Sequence, residues 1–184
     1  MTDMGLFLAV PTALVGLVVG SFLNVVIYRV PRRESIAWPA SQCPACGHPI
    51  RWYDNVPVVS WAALGGKCRD CGGRISLRYP LVESLTGASF LIAALVIGTE
   101  PRLLVTAAFI AVLIAITFID IDHRIIPDRI VLPATLIGLA ASIALQPARW
   151  WVFIAAALGA GGFLFMLGLI WAGAWASGTS RWPS

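Results

Sequence analysis

The residues best suited to chemistry lie in a short polar stretch between two strongly apolar segments. Residues 118–128 read Phe-Ile-Asp-Ile-Asp-His-Arg-Ile-Ile-Pro-Asp and place three carboxylates, Asp120, Asp122 and Asp128, within nine residues. Charges this close to a hydrocarbon core are costly unless they are paired, hydrated or functional. The stretch is therefore the first candidate for acid–base chemistry at a membrane surface.

Asp120 is the strongest candidate of the three. It directly follows an apolar run at the predicted end of a helix, where its ionised form is poorly solvated, and such an environment suits a group that exchanges protons. Asp122 is open to two interpretations, a supporting site residue or a solvated loop charge. Asp128 follows Pro127 and fits the first turn of the next helix, where the helix dipole stabilises a carboxylate.

The four cysteines form a second chemical group. They occur as Cys43-Pro-Ala-Cys46 and Cys68-Arg-Asp-Cys71, and two CxxC pairs about twenty residues apart are typical of a tetrahedral four-thiolate zinc site. Two disulfides or four unrelated thiols are the alternatives, and a cytoplasmic location disfavours disulfides. His48 is interpreted as a bystander, because four thiolates already complete the metal's coordination.

The elements that must position these groups are membrane helices. Hydrophobic residues make up 59% of the 184 residues and charged residues 12%, whereas soluble domains average about 25% charged residues. We predict an all-α, polytopic membrane helical bundle of about five spans with a small cytoplasmic zinc-knuckle loop. The predicted spans are Met4–Tyr28, Ser84–Thr99 with a start near Pro80, Leu103–Ile119, Ile130–Ala148, and Trp150 onward.

The net charge of +4 is distributed unevenly between the loops. Eight of the basic residues fall between the first and second predicted spans, and Arg124 and Arg129 follow the third. By the positive-inside rule, residues 29–79 and the loop around Asp120 are predicted to be cytoplasmic, with the N-terminus outside. This distribution argues against nucleic-acid binding, and the long first apolar run without preceding basic residues argues against a cleaved signal peptide.

Two further polar residues interrupt apolar runs. Asn24, in the first predicted span, suits either an interhelical hydrogen bond or a helix face that lines a site. Glu83, one turn inside the second apolar run, is either an interfacial carboxylate paired with Arg78 or Arg74, or a site residue that faces the interior of the bundle.

The chain resembles the type IV prepilin peptidases, the bifunctional prepilin leader peptidase/N-methyltransferases. The resemblance lies in four stretches that cover most of residues 20–130: Gly20–Pro31, the paired knuckles with Cys46–Trp61, Ile75–Glu83, and Asp120–Asp128. It implies an intramembrane aspartic peptidase of the cytoplasmic membrane. Such an enzyme cleaves the basic leader from prepilins and pseudopilins and then methylates the new N-terminus with S-adenosylmethionine.

The resemblance also implies a division of labour along the chain. Residues 1–28 are the first transmembrane helix, 29–79 the methyltransferase-associated zinc-knuckle loop, and 80–172 the peptidase-type bundle. Asp120 matches one catalytic aspartate of the family, with Asp122 and Glu83 as possible supporting residues. Coupled carboxylates share a proton, so that one activates water while the other protonates the leaving group.

The sequence departs from the family's pattern near its end. The family carries its second aspartate in a Gly-x-Gly-Asp-Val-Lys segment, whereas no aspartate follows Asp128 in this chain. Residues 173–184 are interpreted as an aberrant tail, because the codons permitted from Trp171 onward can encode Gly-Asp-Val-Lys in a neighbouring reading frame. We therefore expect weak or absent proteolysis by this polypeptide alone.

Two other classes of function compete with a peptidase. A membrane-anchored zinc-binding interaction protein without catalysis would use the carboxylates merely as interfacial charges. A transporter fragment would place polar residues in the middle of its spans, and this prediction fits poorly, because apart from Asn24 and a few serines and threonines the predicted spans are apolar.

Overall fold

In the computed structural model, which describes residues 3–178 and the side chains of residues 7–170, the chain forms α-helices and short turns. Five helices have the length and composition to cross a membrane, as predicted: Phe7–Arg29, Arg78–Ile97, Arg102–His123, Asp128–Leu145 and Pro147–Ile170. No strand occurs within the described residues, so the predicted all-α class is confirmed.

Six α-helices follow one another within residues 3–178. They are α1 (Asp3–Arg29), α2 (Val59–Ala63), α3 (Arg78–Ile97), α4 (Arg102–His123), α5 (Asp128–Leu145) and α6 (Trp150–Gly178). Two short 3-10 helices add Trp52–Asn55 in the polar loop and Pro147–Arg149 before α6. The chain divides into two compact units, residues 1–138 and 139–184. In the second unit, α6 contacts the turn Pro147–Arg149 that precedes it.

Glycines allow α1 and α3 to pack at very short range in the first unit. A Cβ atom added to Gly20 would lie 2.7 Å from the Cα atom of Glu83, and one added to Gly16 would lie 2.9 Å from the Cα atom of Gly87. Gly16 and Gly20 are four residues apart and share one face of α1, the small-xxx-small arrangement that lets membrane helices approach closely. This seam therefore depends on the absence of side chains.

A buried apolar cluster joins α1, α3 and α4 at one end of the bundle. It contains residues from the last turns of α1, the first turns of α3 and the second half of α4: Leu23, Val26, Ile27, Val82, Ile114, Ala115 and Ile119. Consequently the C-terminal ends of α1 and α4 and the N-terminal end of α3 lie together. Because the polar loop joins α1 to α3, it begins and ends at this same end.

The helix boundaries correct one detail of the sequence prediction. The sequence predicts that the third span ends at Ile119, but α4 continues to His123. Arg124 caps the helix with a left-handed φ of 53°. Asp120 and Asp122 therefore lie on a helix. The side chains of the predicted aberrant tail, residues 173–184, lie outside the described residues.

Candidate functional site

The first knuckle is a tight turn closed by backbone hydrogen bonds. The amide of Gly47 donates to the carbonyl of Cys43 at 2.8 Å, and the amide of Cys43 donates to the carbonyl of His48 at 2.9 Å. Gly47 has a φ of +70°, which a residue with a side chain rarely adopts. These bonds bring Cys43 and Cys46 to one side of the turn.

The second knuckle repeats this geometry. The amide of Gly72 donates to the carbonyl of Cys68 at 2.9 Å, and the amide of Cys68 donates to the carbonyl of Gly73 at 2.8 Å. Gly72 has a φ of +69°, almost the value of its counterpart in the first knuckle. Two local turns of the same design therefore each present a pair of thiols.

The two knuckles face one another and bring all four sulfur atoms together. The Sγ atoms of Cys43, Cys46, Cys68 and Cys71 all lie within 4.8 Å of one another, and those of Cys43 and Cys71 are 3.9 Å apart. Zinc–sulfur bonds of about 2.3 Å in a tetrahedron place sulfur atoms about 3.8 Å apart. None of the four cysteines is in a disulfide. The arrangement fits a four-thiolate metal site.

The surroundings of Cys43 and Cys71 shift the pKa values of these two thiols in opposite directions. The backbone amide of Cys46 is the largest influence on the pKa of Cys43, which it helps to lower to about 7. The backbone amide of Gly73 acts in the same direction on Cys71, but neighbouring thiols and burial outweigh it and raise that pKa to about 12. A divalent metal at this position would supply positive charge that favours the thiolate form of its ligands.

Ion pairs fix the turn Trp52–Asn55 to the second knuckle. Arg69 donates three hydrogen bonds to the carboxylate of Asp54, the shortest at 2.7 Å, and Arg51 lies 3.2 Å from Asp70. The hydrogen bonds from Arg69 lower the pKa of Asp54 and raise that of Arg69. The middle of the loop is thus tied to the residues between Cys68 and Cys71.

The α2 helix connects this framework to the chain that leads into α3. The indole Nε1 of Trp61 donates to the carbonyl of Ile75 at 3.2 Å, and the buried hydroxyl of Ser60 donates to the carbonyl of Tyr53 at 2.8 Å. The polar loop is therefore a folded element with its own hydrogen-bond network.

Asp120 lies on the exposed side of the last turn of α4. Its neighbour Ile119 is fully buried in the apolar cluster, and the carbonyl of Asp120 accepts a hydrogen bond of 2.7 Å from the amide of Arg124. Among the described residues, no ion pair or side-chain hydrogen bond involves the Asp120 carboxylate. The carboxylate is held by a well-anchored helix and is exposed at the surface of the protein.

Asp122 points elsewhere and lies on α4 rather than in a loop. Residues two apart are separated by about 200° around an α-helix, so Asp122 lies nearly opposite Asp120. Its carboxylate pairs with the guanidinium of Arg78, the first residue of α3, and the two side chains are partly exposed. The pair ties the end of α4 to the beginning of α3.

Glu83 is buried between α1 and α3, with 7% of its surface exposed. Its carboxylate accepts a hydrogen bond of 2.7 Å from the backbone amide of Val58 in the polar loop. The predicted pairing with Arg78 or Arg74 is not formed in the part of the chain that is described, because Arg78 is engaged by Asp122. Glu83 therefore faces inward and contacts the loop.

Asn24 joins the same end of the bundle through an interhelical hydrogen bond, one of its two predicted roles. Its side-chain amide donates to the carbonyls of Gly20 and of Tyr79 in α3, at 3.3 and 3.2 Å. Its Oδ1 atom is buried without a hydrogen-bond partner in the structure, as is Nε of Arg78.

The structure separates the candidate residues into one compact group and several dispersed ones. The four cysteines converge, whereas Asp120, Asp122 and Glu83 have different surroundings and do not form one carboxylate cluster. Sequence reasoning missed two participants. Arg78 was considered only as a partner of Glu83, and no sequence signal marks Val58, whose amide reaches Glu83. Asp128 lies in the first turn of α5, as predicted.

Two protein families match successive parts of the chain. Residues 14–97 match the bacterial peptidase A24 N-terminal domain, and residues 107–178 match the type IV leader peptidase family. The first match covers α1, the polar loop and α3, and the second covers most of α4 together with α5 and α6. No solved structure matches the chain significantly.

The names of several curated relatives contain both leader peptidase and N-methyltransferase. A prepilin leader peptidase/N-methyltransferase of Myxococcus xanthus (strain DK1622) is 47% identical over 136 residues, which are 74% of this chain and 41% of the relative. A protein of that name from Dichelobacter nodosus is 41% identical, with coverage of 77% and 58%, and one from Burkholderia pseudomallei (strain 1026b) is 35% identical, with coverage of 90% and 63%. The chain thus spans about half the length of these relatives.

Proposed function

This chain belongs to the type IV prepilin peptidase family, and from that premise we propose that it acts in the processing of prepilins or pseudopilins. The proposed reactions are cleavage of the leader peptide and methylation of the N-terminus that cleavage exposes. The names of the relatives support both reactions. The site is assigned to the end of the bundle where α1, α3, α4 and the polar loop meet.

The observation that carries the proposal is the placement of Asp120. An exposed carboxylate on the last turn of a membrane helix, anchored by fully buried Ile119, is accessible to a peptide bond at the membrane surface. Asp120 is assigned as one carboxyl of an aspartic pair that exchanges a proton with water or with the leaving amine. Asp122 is not assigned as its partner, since it faces the other way and is neutralised by Arg78.

The proposed location is the inner membrane, with the knuckle loop and the Asp120 turn on the cytoplasmic side. The common position of these two segments at one end of the bundle supports this topology, as does the concentration of arginines in the loop. Basic leader peptides would be drawn to carboxylates at that surface, while the apolar remainder of a substrate would stay in the bilayer.

Zinc is assigned to the four cysteines as a structural ion. Closed four-thiolate sites have no open coordination position, so zinc would stabilise the loop and would not activate a water molecule. The hydrogen bonds that shape each knuckle are compatible with a bound metal, because they use backbone groups and leave the sulfur atoms directed at one another.

S-adenosylmethionine is proposed as the methyl donor from the relatives' names alone. A cavity of about 360 Å³ lies between α1 and the polar loop, and Ser21, Arg29, Ser41 and Asn55 are among its lining residues. Its volume suits a ligand of this size. However, the lining holds no carboxylate for a cationic sulfonium or ammonium group, and Arg29 already binds the carbonyls of Ser35 and Pro39. The cavity is therefore large enough for S-adenosylmethionine but lacks the charged groups to bind it. No residue is assigned to the binding of S-adenosylmethionine.

The test is cleavage of a prepilin by membranes that contain either this chain or a version in which the neighbouring reading frame from Trp171 onward supplies the Gly-Asp-Val-Lys segment, here named the full-length product. We expect the full-length product to remove the leader, with a loss of at least about a hundredfold for Asp120→Asn, because an amide cannot exchange the proton. Asp128→Asn is the matched control and should retain activity. The 184-residue chain is expected to cleave weakly or not at all. Turnover by the full-length product that survives Asp120→Asn would refute the assignment.

A zinc-binding interaction protein without catalysis remains the second candidate. It is favoured by one observation: the metal site is complete in the described residues, whereas the carboxylates are dispersed. This alternative predicts that a prepilin binds to the chain without being cleaved, and that Asp120→Asn leaves binding unchanged in both the chain and the full-length product.

A further inference from the structure

Glu83 makes an unusual contact for a carboxylate inside a membrane-spanning helix. It is almost fully buried, and its Oε2 atom accepts a hydrogen bond from the backbone amide of Val58, twenty-five residues away in the polar loop. Intramembrane carboxylates are normally paired with a cation or directed into an aqueous path. No cation lies within ion-pair distance of Glu83 in the residues that the structure describes.

The loop residue that receives this contact is held in an unfavourable conformation. Val58 has a φ of +62°, a left-handed value that a β-branched side chain makes a genuine outlier. Such conformations persist only where the surroundings impose them. The amide of Val59 donates to the carbonyl of Pro57 at 2.6 Å and closes a tight turn around Val58. This turn presents the amide of Val58 to Glu83, which accepts its hydrogen bond at 2.7 Å.

The path from this bond leads directly to the metal site. Val58 immediately precedes α2, where Trp61 binds the carbonyl of Ile75. The amide of Ile75 in turn donates to the carbonyl of Gly66 at 2.7 Å, two residues before Cys68. A continuous series of hydrogen bonds and short segments therefore connects Glu83 in the bundle to the second knuckle.

Close helix packing places Glu83 where it can make this contact. The Cα atom of Glu83 lies against Gly20, and a methyl group at Gly20 would come within 2.7 Å of it. The side chain therefore emerges at the seam between α1 and α3, directly beneath the loop. The position is fixed by backbone packing rather than by the carboxylate itself.

We propose that Glu83 is a positioning residue that docks the knuckle loop onto the membrane bundle through the amide of Val58. The inference does not depend on the proposed peptidase activity. Its essential feature is that Glu83 acts as a hydrogen-bond acceptor, a task that an amide oxygen can also perform.

The experiment compares Glu83→Gln, which keeps an acceptor oxygen, with Glu83→Met, which has similar length and none. The full chain is assayed with zinc bound in nanodiscs by limited proteolysis of residues 30–77. We expect Glu83→Met to accelerate loop cleavage roughly ten- to a hundredfold, the loss associated with a buried hydrogen bond to a charged acceptor. Glu83→Gln should accelerate cleavage only about three- to tenfold, since a hydrogen bond to a neutral acceptor is roughly half as strong as one to a charged acceptor. Glu100→Met, at an exposed glutamate, is the control and should change nothing.

Three results would overturn the proposal. Equal protection of the loop in Glu83→Met and the parent would exclude docking by Glu83. Equal loss in Glu83→Gln and Glu83→Met would show that the negative charge is required. Hydrogen exchange is also measured at the Val58 amide of the unmodified protein, so this test does not depend on whether a variant folds. Exchange as fast as that of an unstructured amide would show that the hydrogen bond to Glu83 is not formed. Zinc content is measured in parallel, and its retention in Glu83→Met is expected, because undocking leaves the knuckles intact.

Discussion

The knuckle loop and the carboxylate end of the bundle differ in how their polar groups are brought together. In the loop, each CxxC turn fixes two thiols through backbone hydrogen bonds within six residues, and only one long-range step, the pairing of the two turns, completes the site. At the end of the bundle, Asp120, Asp122 and Glu83 lie on two helices and point to different surroundings. Local turns therefore specify a site almost completely, whereas helices specify only a residue's face.

The two regions also differ in what stabilises them. The loop contributes few buried apolar side chains, so a metal would supply much of its folding free energy. The end of the bundle is stabilised by the apolar cluster of α1, α3 and α4 and by contact between glycine-rich helix faces. Perturbations of one region should therefore leave much of the other intact, and this independence can be tested.

The largest effect is expected from Cys68→Ser, which removes one of the four proposed metal ligands. Loss of a structural zinc site forfeits binding free energy on the order of 10 kcal/mol, so the loop should unfold while the helices remain. The measurement is zinc content together with proteolysis of residues 30–77 and far-UV circular dichroism. His48→Ala is the control, because His48 contributes its backbone carbonyl to the knuckle.

Zinc retention by Cys68→Ser would contradict the four-thiolate site. A large loss of helical signal in the same variant would contradict the independence of the two regions.

An intermediate effect is expected from Gly20→Ala at the seam between α1 and α3. The added methyl group would lie 2.7 Å from the backbone of Glu83, and overpacking of this kind typically costs about 1–3 kcal/mol. The variant should unfold at lower temperature or denaturant concentration than the parent. Gly159→Ala is the matched control, because its added methyl group meets nothing within 4 Å. Equal stability of the two variants would show that the close seam is absent.

The smallest effect is expected from the ion pair between Arg78 and Asp122. Arg78→Asp or Asp122→Arg alone should destabilise the first unit by about 1 kcal/mol, the upper range for pairs near a surface, and zinc binding should be unchanged. The double variant restores opposite charges in reversed order and should recover most of the loss. A double-mutant cycle in a denaturant titration measures the coupling, and a coupling of zero would exclude the pair.

Several features of the site could be predicted from particular residues. The CxxC spacing predicted the thiol cluster, and Pro127 followed by Asp128 predicted the start of α5. The environment of Glu83 could not be predicted, because the group that donates a hydrogen bond to it is the backbone amide of Val58. That residue has a positive φ, which a valine side chain disfavours. The partner of Asp122 was missed for a related reason. In the sequence Arg78 is close to Glu83 but 44 residues from Asp122, and only helix packing brings Arg78 to Asp122.

The sequence by itself determined the membrane class, the candidate spans, the family and the clustering of the four cysteines. Each of these follows from composition, matched motifs or short spacings, which are properties of the sequence and do not depend on tertiary packing. Tertiary structure alone decided that Asp120 is accessible, that Asp122 binds Arg78 and that Glu83 contacts the loop. The physical reason is that a helix fixes the angle between its own residues but not its rotation against its neighbours, and here glycine contacts and the buried apolar cluster set that rotation.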